Sequence, residues 1–400
     1  MAVLFKYVDV GYVRSFITDN VAPIGDVEKV GLDKAYGRVV AVDVRVNEDV
    51  PPRELSHVDG FAVRVEDIGR VPARLRLSKG SSLGAGEAVP VRTGWPVPSG
   101  SNAVIPVESV RIDGGFVKVF YKPPRMYEVI PKGIDFRRGE VVVSRGAELM
   151  AQDVMVIASL GYEAVDVVRR PVVTVIPTGT EYVEGGGREF TSYLVCSVLR
   201  AYGALCRREQ PVPDDVGLIA RAVDEALRAS DAVATLGGAS IGNTDFTWRA
   251  VTSLRPAKYF RGVKMQPGKV TSAAIVKGKP VVLLPGLPES AFAGLTYVLL
   301  PVVRRLLGLP MDPKIRLGYG VIGRDSYVGG KYLPFMRTRF VKGVGEGDEG
   351  MPVVEVIESI SYMVSPMLRS LGFIEIPPHA GLLRRGEVVA LYGIRGFLRV

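Results

Sequence analysis

The stretch Ala232-Val233-Ala234-Thr235-Leu236-Gly237-Gly238-Ala239-Ser240-Ile241-Gly242-Asn243-Thr244-Asp245 joins a short apolar run to a glycine-rich loop closed by a carboxylate. An unbroken apolar run of strand length reads as a strand buried on both faces, and such strands belong to parallel sheets covered by helices. The neighbouring segments repeat the pattern. Residues 172–176 are a β-branched run, and Leu194, Val195, Val198 and Leu199 then share one helical face that ends at Gly203. After Pro213-Asp214-Asp215, residues Leu218, Ile219, Ala222, Val223, Ala226 and Leu227 recur at helical spacing. Residues 273–276 and 281–284 are two further buried strands, and 290–307 a long apolar helix. This alternation predicts an α/β domain with a mostly parallel sheet over residues 171–308.

The flanks have a different composition. Residues 52–145 are dense in Val, Gly and Pro, with β-like runs at 73–77 and 103–107. The runs 110–112 and 116–120 flank Asp113-Gly114-Gly115, the composition of a tight hairpin. A short helix is expected within 146–159. Past Pro310 the pattern returns to strands at 315–322, 335–341, 353–360 and 388–392, with a glycine-rich loop at 343–350, which predicts a C-terminal β-barrel or sandwich over 311–400.

The chain has 400 residues, 47% of them hydrophobic, with a mean hydropathy that excludes disorder. Its net charge of +9 favours anionic partners without singling out nucleic acid. Only Cys196, Cys206, His57 and His379 are available as soft ligands, so neither a Cys/His zinc site nor a disulfide framework is expected. Cys196 falls on the apolar side of a helix and is expected in the core. No apolar run is long enough to span a bilayer, and residues 1–16 lack a secretory pattern. The expectation is a cytoplasmic protein without membrane or nucleic-acid partners; abundant Val, Arg and Pro suit a thermophile.

In an open α/β sheet, ligands bind beyond the carboxyl ends of the strands. Three loops fall there: Thr178-Gly179-Thr180-Glu181, Gly237 to Asp245, and Pro285-Gly286-Leu287-Pro288-Glu289-Ser290. Glycines admit close approach of backbone N–H groups to an anion, helix N-termini favour phosphate, and Glu181 or Asp245 suits a hard cation such as Mg²⁺. The sequence holds no Walker A, and GGASIG is not the dinucleotide fingerprint.

Read as an ordered set, these motifs resemble the molybdopterin molybdenumtransferase family, the MoeA type to which the E domain of gephyrin belongs. Ser56-His57-Val58-Asp59-Gly60-Phe61-Ala62-Val63-Arg64 is similar to the family's SAMDGYAVR, and residues 92–100 (RTGWPVPSG) to its TGAPVPxG. Gly133-Ile134-Asp135 stands at its GED, the three loops at TGDE, GGVSVGxxD and LPGNPVS, and residues 264–269 (KMQPGK) at KPGK. The resemblance implies an extended N-terminal region (1–51 with 146–170), an inserted β-rich domain (52–145), the α/β domain and the barrel. It implies a homodimer whose site lies between the α/β domain of one subunit and the β-rich domain of the other.

The implied reaction consumes adenylylated molybdopterin and molybdate or tungstate, uses Mg²⁺, and releases AMP. By motif match Asp59, Asp135, Glu181, Asp214 and Asp245 carry the catalytic acidic positions, with Glu181, Asp214 and Asp245 handling the metal and nucleotide. Thr178, Gly179, Gly237, Gly238, Ser240 and Gly242 would cradle pterin or phosphate beside Pro285, Gly286 and Pro288. Lys269 and Ser290 fall where the family receives molybdate; Ser365 is a further oxyanion contact, with Arg337 or Arg339 supplying charge. Implied partners are other cofactor-biosynthesis proteins and recipient apo-enzymes. The chain departs from the family pattern at Asn102 for Asp, Thr180 for Asp, Gln266 for Lys, Leu287 for Asn and Glu289 for Val. Lost positive and gained negative charge disfavour an oxyanion, so a non-catalytic molybdopterin carrier is the alternative.

Overall fold

The computed structural model describes residues 6–238, 245–329, 334–347 and 350–397. Two compact units are present, one of residues 30–36 and 40–165, the other of 1–29, 37–39 and 166–400. The first contains a six-stranded sheet ordered Ala103–Pro106, Gly60–Val63, Glu87–Val91, Ala73–Leu77, Phe116–Val119 and Val110–Asp113. All its pairings are antiparallel except Ala73–Leu77 with Glu87–Val91. The expected hairpin forms with Asp113 opposite Phe116, and Gly114 and Gly115 both at positive φ, as a two-residue primed turn requires. Phe61, Ile68, Leu75, Ile105 and Val117 fill its core.

In the second unit the α/β elements are β1 (Val172–Pro177), α1 (Thr191–Ala201), β2 (Leu205–Arg208), α2 (Val216–Ala229), β3 (Ala232–Leu236), α3 (Phe246–Ser253), β4 (Lys258–Arg261), β5 (Met265–Gln266), β6 (Ser272–Val276), β7 (Lys279–Leu284) and α4 (Pro288–Gly294). The sheet order is β2-β1-β3-β7-β6-β4. The first four strands are parallel, and β6 and β4 close the sheet antiparallel. Every residue of β3 is buried, which is why its sequence is apolar throughout instead of alternating. In α2 the buried Ile219, Val223 and Leu227 face the sheet, and the Asp215 carboxylate caps the helix by accepting from the Leu218 N–H at 2.8 Å.

The long apolar helix expected at 290–307 is interrupted. A π-helical turn, Leu295–Leu299, separates α4 from α5 (Leu300–Leu306). Pro301 has no N–H to donate and its ring would collide with the carbonyl four residues back, and the wider turn accommodates both.

The C-terminal strands are β8 (Ile315–Ile322), β9 (Met336–Glu346), β10 (Pro352–Val356), β11 (Gly372–Ile376) and β12 (Val388–Gly393). The pairings β9-β10-β8-β12-β11-β9 close a five-stranded barrel. Phe292 of α4 packs between Phe340, Phe373 and Phe397 with ring centroids 4.6–5.6 Å away, so the barrel and the α/β domain share one core. Two expectations shift here. The glycine-rich segment is partly strand, since β9 runs on to Glu346 through a bulge at Gly343 and Gly345. The strand expected at 353–360 stops at Val356, with the Ile357 N–H adding one last ladder bond to the Phe340 carbonyl at 2.9 Å.

The cysteines overturn an expectation. Cys196 is buried in α1 as foreseen, but it is bonded to Cys206 on β2 with Cα atoms 5.3 Å apart. Pairing α1 with the edge strand brings together two residues whose spacing gives no motif. Among the described residues no helix is long and apolar enough to cross a membrane.

Candidate functional site

The three loops predicted from sequence meet at the carboxyl ends of β1, β3 and β7. The Thr178 N–H donates to Leu236 O at 2.8 Å, and the Gly237 N–H to Leu284 O at 3.1 Å. Glycine is required at these crossings. A Cβ on Gly237 (φ +105°) would stand 2.4 Å from the Thr178 carbonyl oxygen, and one on Gly238 (φ +60°) 2.2 Å from Thr247 Oγ1. Gly286 lies against Gly237, where a Cβ would sit 3.3 Å from its Cα. Thr191 at the start of α1 donates through Oγ1 to Gly286 O at 3.2 Å. Thr178, Gly179, Gly237, Gly238, Pro285, Gly286 and Pro288 are therefore neighbours. Ser240 and Gly242 lie outside the described residues.

The acidic positions divide. Glu181 folds back over Gly179, where a Cβ would meet its Oε1 at 2.7 Å. Asp214 lies on the loop after β2, and its N–H donates to Thr180 Oγ1 at 3.0 Å. The threonine standing where the family has Asp thus holds the Asp214 loop. Burial pushes the Asp214 carboxyl up, and the nearby Glu181 charge adds to this against a hydrogen bond from the Thr180 backbone. Asp214 Oδ1 is buried without a partner. An orphaned carboxylate oxygen beside a second carboxylate is a hard donor pair that fits a divalent cation, the more so because Mg²⁺ commonly takes only one or two protein carboxylates plus substrate phosphate. Among the described residues no three Asp, Glu, His or Cys side chains converge.

Asp245 is engaged elsewhere. Its carboxylate caps α3 by accepting from the Trp248 N–H at 3.1 Å, and it pairs with Arg261 of β4 at 2.6 Å. Burial raises its carboxyl, with the Trp248 and Arg261 hydrogen bonds opposing. Beside it opens a cleft of about 650 Å³ walled by Tyr7, Tyr12, Trp248 and Tyr259, with Arg261 and Lys264 in the lining. Sequence reasoning missed Arg261, because only the β4–β6 pairing brings that strand to the loop, and Trp248, which lies on α3 three residues past Asp245 and whose partners Tyr259 and Arg261 come from β4.

At the oxyanion end, the loop carrying Lys269 packs on α4: a Cβ on Gly268 would lie 3.1 Å from Ser290 O. β5 pairs parallel with β9, setting Gln266 opposite Arg337. The Arg337 guanidinium donates through one terminal nitrogen to the Ala380 carbonyl and so helps hold that turn. Ser365 begins the short helix Ser365–Arg369, which faces Pro288 across a cavity of about 320 Å³.

Asp59 and Asp135 belong to the first unit. Asp59 Oδ1 accepts from the Thr93 amide at 2.7 Å and from its hydroxyl at 3.0 Å, and these bonds hold its carboxyl below the usual carboxylate range. Asp135 is exposed beside Gly133, with its N–H donating to Val50 O at 3.0 Å.

A mostly parallel α/β domain with glycine loops at its carboxyl edge, joined to a closed barrel and accompanied by a β-rich unit, defines a multidomain class of α/β plus β protein. Three family models cover most of the chain: the MoeA N-terminal region (domain I and II) at residues 8–161, the "probable molybdopterin binding domain" at 174–305, and the MoeA C-terminal region (domain IV) at 333–394. The chain belongs to the MoeA family. It is similar to the molybdopterin biosynthesis MoeA protein of Pyrococcus horikoshii, with a TM-score of 0.82 and 27% identity over 97% of this chain and 99% of that one. The molybdopterin molybdenumtransferases of Bacillus subtilis and Staphylococcus aureus are 28% and 29% identical; the alignments cover 82% and 72% of this chain, and 80% and 73% of theirs.

Proposed function

We propose that this chain is a molybdopterin molybdenumtransferase of molybdenum cofactor biosynthesis. It takes adenylylated molybdopterin and molybdate or tungstate, cleaves the phosphoanhydride with Mg²⁺, releases AMP and leaves the metal on the dithiolene sulfurs. The observation that carries this reading is the meeting of the three glycine loops at the carboxyl edge of the sheet, with Glu181 on the first of them and the orphaned Asp214 oxygen on the loop that Thr180 holds. Every reactant is an anion, so the site needs N–H donors and cations beside carboxylates that hold a metal. Mg²⁺ held by Glu181, Asp214 and the substrate phosphates would neutralise charge developing on the phosphate oxygens as the P–O bond breaks.

The chain's own groups bind and orient. With the Gly237 N–H held by Leu284 O, the Gly238 amide stands nearest the phosphates, and the aromatic cleft beside Asp245 matches a planar heterocycle in size and chemistry. Asp245 positions Arg261 and the start of α3, while Lys269, Ser290 and Ser365 receive the oxyanion. The reading carries with it a cytoplasmic homodimer in which Asp59 and Asp135 of a second copy complete the site.

The test is AMP release from adenylylated molybdopterin with Mg²⁺, run with molybdate, tungstate and neither oxyanion, while following metal on the pterin. Oxyanion-dependent release is expected, with Asp214→Asn slower by about 10²-fold or more. Tight binding without AMP release under any condition would establish instead the carrier reading, which Gln266 and the buried Glu289 favour.

A further inference from the structure

The cleft beside Asp245 holds aromatic surface that the fold itself leaves uncovered. Tyr12, on the helix Val10–Asn20, is 51% exposed and Tyr259, on β4, is 56% exposed, and both line this space of about 650 Å³. Trp248 forms a fixed wall beside them. Tyr259 meets it edge-on with ring centroids 5.3 Å apart, and the Arg261 guanidinium, paired with Asp245 at 2.6 Å, lies 5.2 Å from the Trp248 centroid. The charged groups are cations and carboxylates already engaged by cations. Lys6 and Lys264 line the cleft, Lys264 pairs with Asp9 at 3.3 Å, and Asp245 accepts from Arg261 and from the Trp248 N–H.

The two ring systems of adenylylated molybdopterin ask for different surroundings. A pterin carries an amide N–H beside an amino group, two parallel donors that suit an uncommitted carboxylate. Adenine lacks that pair; it is held by stacking on its faces, and its phosphate by cations. The cleft supplies faces and cations. It also lies one helical turn from the glycine loop. On α3, Thr247 donates through Oγ1 to Gly237 O at 3.0 Å and closes against Gly238, where a Cβ would stand 2.2 Å away, while the next residue, Trp248, lines the cleft. Resting on the transferase reading, we propose that this cleft is a purine-nucleotide pocket, with Tyr12, Tyr259 and Lys264 as its specificity-determining residues. The adenine of the adenylyl half lies against the open faces of Tyr12 and Tyr259, and Lys264 draws the attached phosphate along the first turn of α3 toward the Gly238 amide. The pterin half lies outside this cleft. AMP remains in the pocket once the anhydride is cleaved and competes there with the next substrate.

The experiment is titration of the full chain with AMP, adenosine and free pterin in the presence of Mg²⁺, by calorimetry on the native protein and by fluorescence on Trp95→Phe, which leaves Trp248 as its one tryptophan. AMP should bind and change the Trp248 emission, adenosine should do the same about tenfold more weakly, and pterin should leave bound AMP in place. Tyr259→Ala should weaken AMP and adenosine alike by about fivefold or more, the loss of one stacking face. Lys264→Ala should weaken AMP alone, and by less as salt is raised. A general loosening of the fold would not divide the two ligands in this way. AMP binding that leaves the Trp248 emission unchanged, with native affinity in Tyr259→Ala, puts the nucleotide elsewhere and overturns the inference while the transferase reading stands. Displacement of AMP by pterin at Trp248 overturns it as well, and gives the cleft to the pterin half. If the native chain binds neither AMP nor adenosine, the result counts against the transferase reading itself and removes this inference with it.

Discussion

Gly237→Ala tests whether the loops after β1 and β3 are locked together by backbone contact. Gly237 holds φ +105°, and a Cβ built there stands 2.4 Å from the Thr178 carbonyl oxygen and 3.1 Å from its Oγ1. Ordinary contact begins near 3.4 Å, so the Thr178 backbone must retreat by the difference, 3.4 − 2.4 = 1.0 Å. An L-residue forced to that φ costs about 1–2 kcal/mol, and displacing a backbone fixed by sheet hydrogen bonds brings the loss to about 3 kcal/mol. A displacement of this size at a substrate-positioning loop should also slow AMP release by about 10²-fold. Gly278→Ala is the matched control: it lies on the turn between β6 and β7 at φ +76° with nothing within 4 Å of a Cβ, and should lose only about 1 kcal/mol. Guanidinium unfolding followed by tryptophan fluorescence gives the stabilities, and the AMP assay gives the rate. Equal losses for the two variants, with turnover intact in both, would refute the close approach of the loops.

Reduction of the Cys196–Cys206 bond, which closes a sequence separation of 10 residues, should lower stability by about 3 kcal/mol through the unfolded chain's entropy; melts with and without reductant, after mass spectrometry has confirmed the thiol state, check this. Asp231 accepts from both Arg169 guanidinium nitrogens at 2.9 Å and from the Val172 N–H at 2.7 Å. Burial raises its carboxyl, but these bonds win and hold it below its ordinary value. Its contribution is therefore present above the unfolded carboxylate pKa and lost as pH falls through the folded one, so Asp231→Asn should cost about 2 kcal/mol at neutral pH and flatten the acid limb of a stability–pH profile. Asp215→Ala should cost about 1 kcal/mol in a urea melt, and Asp215→Asn, which retains the cap, almost nothing.

The α/β core was legible because its signals are local. The apolar run 232–236 coincides with β3, and the period of Ile219, Val223 and Leu227 gives the inner face of α2. Strand β11 carried a weaker signal: its run of Phe373, Ile374 and Ile376 is short and follows the Ser365–Arg369 helix closely, and barrel closure places it beside β9. The carboxyl-edge loops were equally legible, since glycine and acidic residues cluster in sequence where they cluster in space. The partners were not. Arg261 reaches Asp245, and Arg339 reaches Glu289, only through strand pairing and barrel docking. The cysteine pair was hidden for the same reason.

The departures from the family pattern acquire a physical order once the partners are known. Asn102 donates to Glu66 and accepts from the Val65 N–H at 2.8 Å, which a carboxylate could not do in both directions. Thr180 accepts from the Asp214 amide and so keeps the loop that carries the metal-binding candidate. Nothing in the structure explains Leu287, which is half exposed. Asn102 and Thr180 therefore have hydrogen-bonding partners, whereas Gln266 and Glu289 each retain a buried oxygen without one.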